Sequence, residues 1–322
     1  MRSAEDRTPP AGGGTAGDGQ PPRRGLARIA DMPYLLLSLA TLFWAGNAVI
    51  GRAARFDVPP VTLAFLRWSL AALLVWLVIR PPVARDWPAM KARFGTVLLL
   101  AALGVGLFNT MLYRALQTTT ALNVTITQSA TPVFIGLVTF LVFRERMTLR
   151  QAFGFCVSFT GVLVIVSDGD WSRLAALEFR AGDLWMLAAV VIYAAYTALL
   201  RLRPAVDPWS FMLVTFVIGA MQLFPVMLWE WSTGLVIAAS TGAALTVLYV
   251  AVFPSVVSYY CYNRGVEMVG ANRAGVFFHL IPLYGSFLAV VFLGERFLPS
   301  HGIGLVLVIG GILITTRRKR LR

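Results

Sequence analysis

The chain has 322 residues, 58% of them hydrophobic and 13% charged, with a mean hydropathy of +0.73. Soluble domains carry roughly 25% charged residues, so this composition excludes an ordinary soluble globule and points to a membrane protein. The net charge of +13 does not argue for a nucleic-acid partner. The arginines cluster at the chain ends and in short breaks between apolar runs, where they orient membrane helices.

Residues 1–31 are rich in Gly, Pro and Arg and read as a disordered cytoplasmic tail. They hold no short apolar region of the signal-peptide kind. The first apolar run, from Met32, is span-length, so a retained first helix is expected. Ten helices are predicted, over 33–53, 60–79, 94–116, 121–143, 149–167, 183–201, 209–229, 238–261, 271–293 and 301–316. Pro33, Pro59, Pro60, Pro81, Pro208 and Pro299 stand at span edges, where a residue without an N–H is tolerated. The expected units are a five-helix repeat over 32–167, a periplasmic loop over 168–182, a second five-helix repeat over 183–316 and a basic tail over 317–322.

With the N-terminus inside, the inner segments hold twenty-one positive residues and the outer loops six. That bias predicts cytoplasmic termini in a bacterial inner membrane. Cys156 and Cys261 each lie in an apolar run and read as two small buried hydrophobes rather than a disulfide pair.

The second half repeats the first at a shift of 150. Pro132 falls on Pro282, Glu145 on Glu295, Arg146 on Arg296, Gly154 on Gly304 and Gly161 on Gly311. "WAGNAVIGR" (44–52) aligns with "YAAYTALLR" (193–201) at 149. An odd number of spans per repeat forces the two copies into opposite orientations. That is the inverted-repeat architecture, with a binding site expected at the midplane between the halves.

"LFWAGNAVIGRAA", "AFLRWSLAALL" and the twin closures "FRERMT" and "LGERFLPS" resemble the EamA family of the drug/metabolite transporter superfamily. The resemblance covers about residues 33–316. It implies a ten-helix carrier of small metabolites, commonly an exporter of amino acids or related compounds.

Pro132 and Pro282 are expected to kink the middle of the fourth and ninth helices, the best sequence pointer to a carrier's central site. Beside them lie Gln128, Thr131 and His279, polar groups that are costly at bilayer depth unless they face protein or a wet cavity. Trp44 and Asn47, Asn109 and Tyr113, and Tyr193 and Tyr196 are spaced three or four apart, so each pair shares one helix face. Together with Tyr260 these are the candidate solute-binding residues. Arg67, roughly 10 Å into the second helix, has two readings: contact with a substrate carboxylate, or a side chain reaching out to the membrane surface. Glu145 and Glu295 each precede a helix and are read as caps on its free N–H groups.

All fifteen acids lie in tails, loops or span edges. Exporters of lipophilic cations typically need an intramembrane carboxylate, so a zwitterionic or neutral solute is expected. A broad amphiphile exporter is the alternative. No phosphate-binding loop, zinc motif or nucleophile elbow is present, so neither a cofactor, a metal nor an enzymatic activity is expected. A membrane-embedded enzyme is the other class considered, and the repeat disfavours it by placing the two Glu-Arg pairs on opposite faces. The expected partners are a small solute and membrane lipid. The glycine pairs fit either packing within one chain or a homodimer.

Overall fold

The computed structural model describes residues 31–119, 121–167, 169–175, 181–293 and 298–316. The N-terminal tail up to residue 30, the basic C-terminal tail and the Glu295–Arg296 pair lie outside the described residues. Among the described residues every regular element is a helix. In chain order they are α1 (Pro33–Ala53), α2 (Pro60–Ile79), α3 (Val83–Ala92), α4 (Phe94–Thr118), α5 (Ala121–Gln128), α6 (Thr131–Phe143), α7 (Leu149–Val166), α8 (Ser172–Ala175), α9 (Ala181–Leu202), α10 (Pro208–Ser232), α11 (Thr241–Val269), α12 (Ala271–Gly275), α13 (Leu280–Leu293) and α14 (Pro299–Thr316). Seven of these (α1, α2, α4, α9, α10, α11 and α14) are long and apolar enough to cross a membrane.

Helix starts follow local chemistry. Proline opens α1, α2, α10 and α14, where its missing N–H costs nothing. The Asp207 carboxylate accepts from the N–H groups of Trp209 (2.9 Å) and Ser210 (3.2 Å) at the head of α10. Thr148 and Gln151 form a reciprocal capping box at the head of α7. The cap expected of Glu145 is therefore supplied by Thr148, whose hydroxyl reaches the N–H of Gln151.

The expected continuous helices over 121–143 and 271–293 are both interrupted. The first breaks at Ser129 and Ala130, and Pro132 enters the first turn of the following helix α6. The second passes through a 3-10 turn, Val276–His279, before α13. The two breaks lie one repeat length apart, and proline begins or follows each, because it cannot continue the N–H ladder.

Two wide π-helical turns obey the same offset. They span Ala102–Leu107 in α4 and Val252–Val257 in α11, so Gly104 in one matches Pro254 in the other. In the second turn the cause is explicit. Pro254 has no N–H for Val250 O, and the Ser255 hydroxyl donates to that carbonyl instead (2.6 Å).

Helix α7 lies along α14 through the four repeated glycines. A Cβ on Gly154 would stand 2.7 Å from Gly311 O, and one on Gly161 would stand 2.9 Å from Gly304 O. The chain numbers run in opposite directions along this contact, so the helices are antiparallel. The glycine faces therefore pack within one chain, as small residues permit. Elsewhere α1 packs on α11 and α4 on α9, while α2 packs on α10. Cys156 lies on the exposed face of α7 rather than in the core; Cys261 is buried.

Candidate functional site

Two features define the candidate site. The first is a vestibule of about 760 Å³ that opens at one end, where α3, the α6–α7 link, the α9–α10 link and the α11–α12 link converge. Thr139, Glu145, Arg201, Asn263, Glu267 and Arg273 are among the residues on its wall. Glu145 pairs here with Arg201 (2.7 Å), both about half exposed, and Glu267 pairs with Arg203 (2.8 Å). At the rim, Asp86 accepts from the Asp207 N–H (3.1 Å), and the adjacent Arg85 guanidinium holds its carboxyl below the usual carboxylate range.

The vestibule reaches Asn263, whose Oδ1 accepts the Tyr196 hydroxyl at 2.8 Å. Beyond it stands an aromatic cluster. The Trp44 ring lies 5.0–6.3 Å from those of Tyr193, Tyr259, Tyr262 and Phe278, and Tyr193 lies 5.3 Å from Tyr196. Gly104 allows this close fit, since a Cβ there would lie 2.5 Å from Tyr196 Cδ2. The Gly104 carbonyl also accepts the Tyr259 hydroxyl.

The second feature is a buried polar cluster around Arg67, which is 1% exposed. Its Nε donates to Ser255 Oγ (2.5 Å) and its Nη2 to Pro254 O (2.9 Å). Its Nη1 faces Asn47 Oδ1 (3.3 Å), Asn109 Oδ1 (2.8 Å) and the Tyr113 hydroxyl (2.9 Å). The π turn explains why Pro254 O is available. The Ser258 N–H bonds Phe253 O and Ser255 O, passing over Pro254 O. That carbonyl takes Arg67 and also the Trp44 indole N–H (3.1 Å). Arg67 does not reach out to the membrane surface: five acceptors from α1, α4 and α11 turn its head inward, and a guanidinium without such partners would be far costlier at that depth.

At the far end of the described bundle, buried carboxylates hold the heads of helices. Glu230, 4% exposed at the end of α10, accepts from the Val61 N–H (3.0 Å), the Thr62 N–H (2.8 Å) and the Thr62 hydroxyl (2.8 Å). It thereby satisfies the free N–H groups at the head of α2. Asp183 at the head of α9 holds Thr119 (2.5 Å) and Asn123 (3.2 Å).

The structure thus brings Trp44, Asn47, Asn109, Tyr113 and Arg67 together, with Tyr193 and Tyr196 beside them. Tyr260 stands apart: its ring stacks on Trp209 (4.4 Å, 8° between planes), and its neighbour Tyr259 occupies the cluster instead. A helix turns 100° per residue, and an apolar run with two adjacent tyrosines carries no signal for which one faces inward.

His279, Gln128 and Thr131 gather at the helix breaks rather than at Arg67. His279 is fully buried, with Nδ1 2.5 Å from Ser158 Oγ and Nε2 2.9 Å from Ser129 O. The break frees that carbonyl, because the Val133 N–H bonds Ala130 O. Thr131 donates to Gln128 O (2.5 Å), and Gln128 Oε1 is buried without a partner. Sequence reading missed Pro254, Ser255 and Glu230. The repeat carried a signal for the first, since a proline at 254 mirrors the glycine at 104 inside a span.

Among the described residues no group of three or more His, Cys, Asp or Glu could hold a metal ion.

Known proteins place this architecture. A solved crystal structure, 18% identical in sequence, matches the fold with a TM-score of 0.70 over 89% of this chain and 96% of its own. The uncharacterized transporter YetK of Bacillus subtilis (strain 168) is 28% identical over 289 residues, covering 89% of this chain and 87% of its own. An uncharacterized transporter of Archaeoglobus fulgidus is 27% identical over 294 residues, 89% of this chain and 98% of its own. The model of the EamA-like transporter family matches residues 31–167 and again residues 180–317. With two matched segments that leave out little beyond the tails, this membrane protein belongs to the EamA-like transporter family.

Proposed function

We propose that this chain is a secondary-active carrier of the inner membrane, with ten spanning segments in two inverted five-helix repeats. It exports amino acids or similar small metabolites by alternating access. The observation that carries this reading is the vestibule, which enters between the halves from one end and reaches Asn263, the partner of Tyr196, while at the other end the buried Glu230 ties α10 to α2. A channel would need a continuous path, and an enzyme would need reactive groups at the vestibule floor.

Symmetry of detail supports the inverted repeat. The Tyr113 hydroxyl donates to Asn47 Oδ1 (2.8 Å), and Tyr196 donates to Asn263 Oδ1 (2.8 Å). At offsets of 149 and 150 these are the same two positions with the residue types exchanged. The antiparallel glycine contact and the matched π turns agree with it. The positive-inside bias supports a cytoplasmic position for the vestibule end and both termini. The arrangement is then an inward-facing carrier, with Trp44, Asn47, Arg67, Asn109, Tyr113, Tyr193 and Tyr196 forming the solute site. His279, Gln128 and Thr131 support it from the broken helices. Every described acid lies at a helix end or in a link, which supports a zwitterionic or neutral solute over a permanent cation.

The test is flux by the purified chain in proteoliposomes, against a panel of amino acids, with and without a proton gradient. Saturable, counterflow-competent transport of panel members is expected. Tight transport of a quaternary ammonium without competition by any amino acid would overturn the solute class.

A further inference from the structure

The Arg67 cluster carries a positive charge with no counter-ion among the described residues. All five of its partners are neutral: two amide oxygens, two hydroxyls and one backbone carbonyl. A purely structural hub built from neutral acceptors would be better served by a neutral donor. A lone guanidinium must be desolvated without the Coulombic return of an ion pair.

The donors are also in excess. A guanidinium has five N–H groups; Nε uses its one, and Nη2 spends one of two on Pro254 O. The second Nη2 proton has no acceptor among the described residues. Asn109, 1% exposed, turns its oxygen to Arg67 and its Nδ2 toward the Tyr259 hydroxyl, with which it makes no hydrogen bond of ordinary geometry. The Tyr193 hydroxyl, against Trp44, likewise has none. Buried donors are rarely left unsatisfied, and these two belong to the rings and amides gathered around an unpaired cation.

We propose that this cluster is the receptor for a carboxylate on the transported solute. Arg67 binds the carboxylate, Asn109 Nδ2 supplies a second donor, and Asn47 and Tyr113 are the acceptors that hold the guanidinium while the site is empty. In the inward-facing arrangement the aromatic cluster separates Arg67 from the vestibule. The exchange of neutral acceptors for the carboxylate then accompanies the opening of that layer. This inference rests on the carrier reading above and narrows its solute to molecules bearing a carboxylate.

The experiment compares each amino acid with its own carboxamide in proteoliposome counterflow: leucine with leucinamide, and phenylalanine with phenylalaninamide. Wild-type protein is expected to carry the acids and reject the amides. Arg67→Gln is expected to raise the apparent KM for the acids by roughly 100-fold, the loss of a charge-assisted contact, and Arg67→Lys to recover part of it. Asn109→Asp keeps the side-chain shape and places a carboxylate against Arg67. It is expected to unfold at a higher temperature than wild type in detergent while losing acid transport, an outcome that misfolding cannot mimic. Equal transport of acid and amide by wild type, or an unchanged KM in Arg67→Gln or Asn109→Asp, would overturn the carboxylate receptor and leave the carrier standing. Absence of flux for both members of every pair would overturn the receptor and the amino-acid carrier together.

Discussion

Glu230 and Glu145 are both carboxylates that reach from one helix to another, and they do so at opposite ends of the bundle. Glu230 is 4% exposed and takes three hydrogen bonds from the head of α2. The Glu145 side chain is 52% exposed and takes one arginine, Arg201, across the vestibule mouth. The difference lies in what each is worth. A buried carboxylate that satisfies backbone N–H groups cannot be released without leaving those groups bare. An exposed ion pair exchanges with water at little cost. One end is therefore tied by buried contacts and the other by an exchangeable pair, the asymmetry expected of the inward-facing carrier proposed above.

Substitutions can break this contrast. The largest effect is expected for Glu230→Ala, which leaves the Val61 and Thr62 donors unsatisfied. A loss of about 3 kcal/mol should show as a lower midpoint in thermal unfolding, together with new accessibility of a cysteine placed at Thr62 to a water-soluble maleimide. Gly104→Ala comes next. Its Cβ must displace the Tyr196 ring from the vestibule floor, at a cost of roughly 1–3 kcal/mol, and flux should fall because the Tyr196–Asn263 contact is pulled apart. Glu145→Gln should change unfolding by only ~0.2–1 kcal/mol, and that small effect should shrink further in high salt. A loss as large as that of Glu230→Ala would abolish the distinction between the two ends.

The smallest effect concerns Asp86 at the rim. Its carboxyl titrates below the ordinary range in the fold, chiefly because Arg85 bonds it. Its contribution is thus fully present above the unfolded value of roughly 3.9 and is lost as pH falls through the lower folded value. Unfolding midpoints of wild type and Asp86→Asn should differ slightly at neutral pH and converge in acid. A gap that widens on acidification would contradict the assigned role.

Much of the site was legible in the residues. Helical spacing puts Trp44/Asn47 and Asn109/Tyr113 each on one face, and in the fold they meet at Arg67 and Pro254 O. Tyr193 and Tyr196 follow from the same spacing in the second half. Three readings needed the fold. Arg67 had two, outward or inward, because the choice depends on Pro254 O, a carbonyl 187 residues away. Tyr260 and Tyr259 differ by one helical step, which composition does not resolve. Glu145 looks like a cap in sequence, yet Thr148 stands three residues closer to the helix and wins the free N–H groups by geometry.

The sequence by itself determined the membrane class, the helix starts and the repeat, because these depend on local properties: apolar length, proline and capping side chains, and a fixed offset between copies. It also marked where the two halves break, at Pro132 and just ahead of Pro282, although Pro225 stands inside α10 without ending it. Only the tertiary structure decided that the four glycines face one another within one chain, that Glu230 caps the head of α2, and that Arg67 turns inward to neutral partners. Those outcomes rest on backbone carbonyls and on groups more than a hundred residues apart, and a carbonyl freed by a π turn has no letter in the sequence.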